Sequence, residues 1–221
     1  YIISENKLRD EMQNELVVVK DKLNSFLKSS LVVTKTLAYL VENYGEPKNF
    51  ESIGKNLLSG NKYIDALELT KQGEITHVYP LKGHEPALGY DILKDSLTRK
   101  EGLRAIQKKE LFFAGPLKLK QGNHGIVGRS AIFRDGEFIG FSVVVVKLDA
   151  LIKKIGLHNS ENSKFAFQLS KTNPNTGKDE YFLPNAIHEA GKHSLSIYIP
   201  EGKWRIFIHS KENPNRTNLL L

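Results

Sequence analysis

Ile126-Val127-Gly128-Arg129-Ser130-Ala131-Ile132-Phe133 and the run from Glu137 to Leu148, joined across Asp135-Gly136, decide the fold of this chain. Asp-Gly between two apolar runs supplies the positive-φ pair that a tight hairpin turn needs, so the two runs read as adjacent antiparallel strands. Val143 to Val146 is the densest apolar stretch in the sequence and belongs to the second of them. Immediately upstream, Leu111 to Lys120 reads as a third strand broken at Gly115-Pro116. A helix is expected before it, from Leu93 to Lys109, with Leu93, Leu97, Leu103 and Ile106 as its apolar face; Gly102 weakens it. Further upstream, Tyr63 to Leu69 and Ile75 to Leu81 flank Lys71-Gln72-Gly73-Glu74 and read as another hairpin.

Two strands, helical material and three strands is the order of a PAS-like α/β module. The segments on either side differ from it in kind. Met12, Leu16, Val19, Leu23, Phe26, Ser30, Val33, Leu37, Leu40 and Tyr44 recur alternately four and three residues apart, a heptad seam broken only by Ser30. Gly45 and Pro47 end it. Forty helical residues make a rod of about 60 Å, so the seam is expected either to pair with a second copy or to dock along its own globule. After the central module come a short helix, Asp149 to Leu157, and four strands: Lys164 to Ser170, Tyr181 to Leu183, Leu195 to Ile199 and Trp204 to His209. The segment Asn173 to Gly177 reads as a turn. The reading is therefore α+β: a long N-terminal stalk helix (1–47) followed by two PAS-like α/β units (48–150 and 151–221).

Composition narrows the chemistry. With 221 residues, 40% hydrophobic and 26% charged, the chain can build a real core and is too apolar to be disordered. It has no cysteine, which excludes disulfides, thiolate metal sites and a cysteine nucleophile. A formal charge of +7 favours anionic partners or simply solubility. The basic stretch from Lys94 to Lys120 lacks the interleaved aromatics of a nucleic-acid module, so no nucleic-acid partner is expected. His188-Glu189 and His193 do not form a zinc motif, because the histidines are five apart rather than four. Gly122, Gly125 and Gly128 precede a strand and fit backbone turns better than a phosphate cradle. No serine lies in a nucleophile elbow, and Asn215-Arg216-Thr217 is a chance sequon. No catalytic residue, metal or cofactor is expected. No apolar run reaches the ~18 residues of a membrane span. With Tyr1 at the start and Met12 as the single methionine, the sequence reads as part of a longer product.

The central residues carry a family resemblance. Val78-Tyr79-Pro80, Gly83-His84-Glu85-Pro86-Ala87-Leu88-Gly89-Tyr90-Asp91, Arg99, Ala105, the run Ala114 to Gly122, and Gly125-Ile126-Val127-Gly128-Arg129 ending at Phe133 resemble the signature of CHASE domains, in order and spacing. The resemblance implies an extracellular or periplasmic ligand sensor held between two membrane helices outside this sequence. It implies cytoplasmic outputs such as histidine kinases or cyclic-di-GMP enzymes, and a membrane-distal PAS-like unit that binds the small ligand above a membrane-proximal one. Bacterial members commonly carry asparagine where His84 stands and proline where Ala131 stands. Cytokinin receptors of the family place an acidic anchor near the strand of Thr76 and a threonine near Ala114; neither is present, and the pattern resembles the bacterial members.

Pocket residues are indicated by alternation. Val127, Arg129, Ala131 and Phe133 share one face of their strand. If that face looks inward, Arg129 is a costly buried cation that needs an anion. A carboxylate or phosphate ligand would serve, and so would Asp91 or Glu85. Tyr79 and Tyr90 could lend rings and hydroxyls, while Phe113, Gly115 and Phe133 stand where bulk would set cavity size. With Thr76, His84, Ala114 and Ala131, these make the candidate ligand-binding set. The expected function is a small-molecule sensor, homodimeric through its stalk; a non-catalytic module that recognises a periplasmic protein or envelope component is the alternative.

Overall fold

Helix α1 (Ile2–Tyr44) opens the chain and buries the expected seam from Met12 to Leu37, including Ser30. The computed structural model describes residues 2–120, 122, 124–157, 162–173, 176–183, 194–199 and 203–211. His188, Glu189, His193 and the Asn215 sequon lie outside them, as do two positions of the expected turn, Pro174 and Asn175. Of the two uses open to the seam, burial within its own chain is the one observed. Its last turn departs from expectation: Tyr44 is 76% exposed and Val41 takes the buried position. The helix has no basic residue in its last turn. Arg134 supplies one instead, donating from Nε to the Glu42 carbonyl at 3.2 Å and from Nη2 to the Val41 carbonyl at 2.5 Å.

The chain divides into two compact units, one holding Phe26–Leu151 and the other holding the chain up to Ser25 and from Ile152 onward. In the first, a five-stranded antiparallel sheet has the order β2-β1-β5-β4-β3, built from β1 (Ala66–Lys71), β2 (Glu74–Tyr79), β3 (Phe112–Lys118), β4 (His124–Arg134) and β5 (Glu137–Lys147). The central β5 pairs with β4 along one edge and β1 along the other, and its valines from Val143 to Val146 are buried whichever face they point to. The Asp135-Gly136 turn is formed as expected, with φ of +51° and +83°. One face of this sheet meets α1: Phe26 stacks against Phe113 at 5.5 Å, and Ser130 Oγ donates to Thr34 Oγ1 at 3.1 Å. The opposite face carries a core of Ala66, Ile75, Ala87, Ile92, Ala105, Val127, Phe141, Val143 and Val145.

Two helices in this unit differ from the sequence reading. Helix α2 (Phe50–Leu58) was not expected; Asn49 caps it by accepting from the Ser52 amide at 3.0 Å. Helix α3 runs Arg99–Lys108 rather than from Leu93, and its one leucine, Leu103, is exposed, as is Leu97 just before it, while Glu101, Gly102 and Ala105 face inward. A Cβ on Gly102 would sit 3.0 Å from Leu93 and 3.2 Å from Ile92, so the small residues let the helix approach closely.

The other unit contains the second half of α4 (Leu148–Ile155) and a four-stranded antiparallel sheet of order β7-β6-β9-β8. Its strands are β6 (Phe165–Thr172), β7 (Asp179–Tyr181), β8 (Ser194–Ile199) and β9 (Trp204–Ser210). Trp204, Leu169, Ile206 and Ile208 are fully buried there. A long helix followed by two PAS-like antiparallel units confirms the α+β class.

Gly140 marks the tightest approach in the first sheet: a Cβ there would lie 2.0 Å from the Thr70 carbonyl oxygen, beside the Phe141 amide that donates to Thr70 Oγ1. Gly140→Ala should therefore destabilise the fold by about 2–3 kcal/mol, read as a lower urea midpoint. An unchanged midpoint would contradict this packing.

Candidate functional site

A charged residue rarely enters a β-sheet interior alone, and here three charged side chains meet over one valine. Val143 on the central β5 is paired on one side with Glu68 of β1 and on the other with Arg129 of β4. Paired residues of antiparallel strands point to the same face, so Glu68 and Arg129 flank Val143 on the face opposite α1. Glu101 arrives from above on α3, with its Oε2 4.0 Å from Arg129 Nη1. Arg129 is 3% exposed and Glu68 4% exposed. The Nε and Nη1 groups of Arg129 donate no hydrogen bond.

Burial dominates the electrostatics. It pushes the Glu68 carboxyl up to about 7, although the Arg129 guanidinium pulls the other way. It also lowers the affinity of Arg129 for its proton, against the opposing pull of Glu101 and Glu68. Tyr90 is raised by burial as well, and its hydroxyl shares a 3.0 Å hydrogen bond with Thr98 Oγ1. Thr98 in turn donates to the Ile92 carbonyl at 2.9 Å.

These groups border a cavity of about 150 Å³. Its walls are Ile75, Ala87, Ile92, Leu117, Leu119, Val127 and Val145, with Glu68 and Arg129 at the sheet and Tyr90, Asp95, Thr98, Lys118 and Lys120 also bordering it. Lys120 Nζ lies 4.2 Å from the centre of the Tyr90 ring. One buried cation with two unused donors, beside a wall of aliphatic side chains, suits a small anion with an apolar body.

Of the ten candidate residues, the structure places Tyr90 and Arg129 on this cavity. Ala114, paired with Val127, shares its sheet face, and Ala131 packs against the same core. Thr76 and Tyr79 instead line a separate cleft of about 400 Å³ with Phe50, His77 and Leu81, because the irregular β1–β2 register turns Ile75 and Val78 toward the core and their neighbours away. His84 is buried in the loop before the single turn Glu85–Ala87, with its Nδ1 unpaired. Phe113 belongs to the α1 face. Phe133 stands near the hairpin end, beside Phe138 and Lys109. Gly115, at φ +111°, sits in the β3 bulge, where a Cβ would be 2.6 Å from the Gly125 carbonyl oxygen. Bulk at Phe113, Gly115 or Phe133 would therefore press on α1, on the β4 backbone or on the hairpin, rather than setting the size of the cavity.

The acids expected beside Arg129 are also replaced. Asp91 accepts from the Leu93 and Lys94 amides and pairs with Lys94 at 3.0 Å, while Glu85 accepts from the Gly83 amide. Glu101 and Glu68 hold the position instead. Glu68 left one signal in the sequence, as the charged residue at the centre of Ala66-Leu67-Glu68-Leu69-Thr70. Glu101 is visible only once Ala105, one turn on, is known to face inward. Among the described residues there is no cluster of three His, Asp or Glu side chains able to hold a metal, and no helix is long and apolar enough to cross a membrane.

A family model described as CHASE domain matches residues 64–182. In fold, the chain is similar to an extracellular ligand binding receptor from Desulfohalobium retbaense DSM5692, with a TM-score of 0.66, 17% identity and 90% of this chain covered. It spans only 40% of that receptor chain. It is also similar to the sensor domain of the V. cholerae histidine kinase DctB (TM-score 0.64, 12% identity, 95% of this chain and 99% of that one). A third likeness is to the ligand binding domain of the Pseudomonas aeruginosa PAO1 amino acid chemoreceptor PctB, in complex with L-Arg (TM-score 0.66, 12% identity, 100% of both chains). At such identities the likeness is one of fold. No curated protein is similar to the chain in sequence.

The Glu68 carboxyl gives the fold a pH signature. Its proton is held more tightly in the folded chain (about 7) than in the unfolded one (4.5), so its contribution is full below 4.5 and is lost as pH rises toward 7. Glu68→Gln should thus leave the melting temperature nearly unchanged at pH 5 and raise it by roughly 5–10 °C at pH 8.5. Equal melting temperatures at pH 8.5 would show that Glu68 is not held in a desolvated site.

Proposed function

This chain belongs to the CHASE domain family, and from that premise we propose that it is the extracytoplasmic ligand-sensing domain of a bacterial transmembrane receptor. The output in this reading is a cytoplasmic histidine kinase or cyclic-di-GMP enzyme, and the chain itself catalyses nothing. Residues 48–150 form the membrane-distal unit that takes a small molecule, residues 151–221 the membrane-proximal unit, and residues 1–47 the stalk. The carrying observation is Arg129, a buried guanidinium with two unused donors bordering an apolar cavity. The L-Arg bound by PctB also carries a carboxylate, the group that such a guanidinium accepts in a planar, two-point contact. Ligand binding shifts a two-state packing of the distal unit, and the stalk passes that shift toward the membrane. A homodimer of such a receptor would use a face of α1 other than the seam, since the seam is already buried.

The alternative reading, an interaction module for a periplasmic protein or envelope component, finds its support in the cleft of Thr76 and Tyr79, flanked by the exposed Leu81 and Leu88.

Thermal unfolding against separate pools of amino acids, organic acids, purines and short peptides tests the choice. A ligand at ~100 times its dissociation constant adds about 2.7 kcal/mol, on the order of 5–11 °C for a chain of this size. The shift should be confined to a pool of carboxylates, and Arg129→Lys, which keeps the charge but loses the planar fork, should weaken binding by roughly tenfold or more. Flat curves from every pool would favour the interaction module. A shift undiminished in Arg129→Lys would remove Arg129 from the site.

A further inference from the structure

The charged and titratable groups around the cavity together restrict what can enter it. Arg129 is the buried cation. Glu101 of α3 stands 4.0 Å from it and Glu68 of β1 flanks it across Val143. Toward these groups face Tyr90 and Asp95 from the segment before α3, and Lys118 and Lys120 from the end of β3 and just beyond it; β5 and β2 contribute only Val145 and Ile75. Asp95 Oδ1 already accepts from the Leu97 amide at 2.8 Å, and Lys120 lies over the Tyr90 ring. Lys118 and Lys120 are exposed. The interior therefore offers one positive charge, the Glu101 carboxyl 4.0 Å from it, and one further carboxyl, Glu68.

Resting on the sensor reading above, we infer that the cavity takes a small monocarboxylic acid as its carboxylate together with a proton: the carboxylate on the Arg129 guanidinium, the proton on Glu68, and a short aliphatic or aromatic body against Ile75, Val127 and Val145. A dianion would set two charges against Glu101 and Glu68 with a single buried cation between them. The volume, about 150 Å³, matches a cavity that accepts a benzene-sized body. When the carboxylate lands, Arg129 is shared between it and Glu101, and a third negative charge beside them in a dry site has no partner. Glu68 must then be neutral. Burial raises Glu68 to about 7 in the folded chain, so binding above that pH takes a proton from solvent. Affinity then falls by up to tenfold for each pH unit above about 7. An ammonium group at Glu68 would do the reverse, binding tighter as the pH rises.

Three probes with one carbon skeleton separate these cases: leucine, 4-methylpentanoate (leucine without its ammonium) and 3-methylbutylamine (leucine without its carboxylate). Calorimetric titration of the 221-residue chain from pH 6 to 9, in buffers of different ionisation enthalpy, measures both affinity and protons exchanged. The expected result is that 4-methylpentanoate binds best, with net proton uptake approaching one above pH 8. In Glu68→Gln, its folding checked by melting temperature, affinity becomes independent of pH and proton uptake vanishes. Binding of leucine in preference to 4-methylpentanoate overturns the assignment, as does an affinity that is flat or rises with pH in the unmodified chain. Failure of all three probes at millimolar concentration and pH 6 overturns it too. None of these results removes the sensor reading, which gives way to the interaction module only if every metabolite pool is silent.

Discussion

The guanidinium of Arg129 is out of water, and the inner face of the five-stranded sheet is arranged around that fact. An isolated cation there would be far too costly to keep charged, so carboxyl groups have to converge on it from outside its own strand. Glu68 comes from the next strand but one, across Val143, which requires the β1-β5-β4 register to be right to the residue. A slip of one position would turn Glu68 toward α1 and leave Arg129 with Glu101 as its one facing acid. Glu101 comes from α3, and it reaches Arg129 because Gly102 and Ala105 leave no bulk between helix and sheet. Helix placement, strand register and the cavity floor are thus consequences of one desolvated charge.

That arrangement also explains what could be read in advance. The β4–β5 hairpin was legible because Asp135-Gly136 and the valine run each specify their local geometry. The seam of α1 was legible because heptad spacing survives from Met12 to Leu37. Alternation grouped Arg129 with Val127 and Ala131 on one face, but the direction of that face was left open. Its partners could not be read, since Glu68 and Glu101 lie 61 and 28 residues upstream and only the sheet register and helix position join them. Nearby acids, Asp91 and Glu85, were the natural guess, but both are occupied by loop amides. Thr76 and Tyr79 sit on a strand of six residues with polar and apolar positions mixed, so its inward face was open to either choice. Helix α3 misled because Leu93, Leu97, Leu103 and Ile106 suggest an apolar face, whereas the tight approach uses Gly102 and Ala105. Helix α2 is nine residues long and contains Gly54, too short for periodicity to announce it. That glycine is packed on Tyr79, where a Cβ would come within 2.5 Å of the ring.

The cavity's modest size and its mixture of charges also separate it from the cleft on the outer side of β2. The cleft is larger and bordered by Phe50, His77 and Leu81, but it contains no buried cation. Volume alone would favour the cleft; the uncompensated donors of Arg129 favour the cavity. A buried polar group without a partner is the rarer feature in folded proteins and therefore the more informative one.

The cap on α1 has a consequence for anyone who would treat this helix as an interchangeable part. The last carbonyls of α1 depend on Arg134, a side chain at the tip of a hairpin some ninety residues later, because no lysine or arginine of the helix itself stands in its final turn. A chimeric receptor joined at Gly45 that keeps the helix but replaces the sheet beyond it would leave those carbonyls without their donor. The transplantable segment is longer than the helix: it runs from α1 through the β4–β5 hairpin.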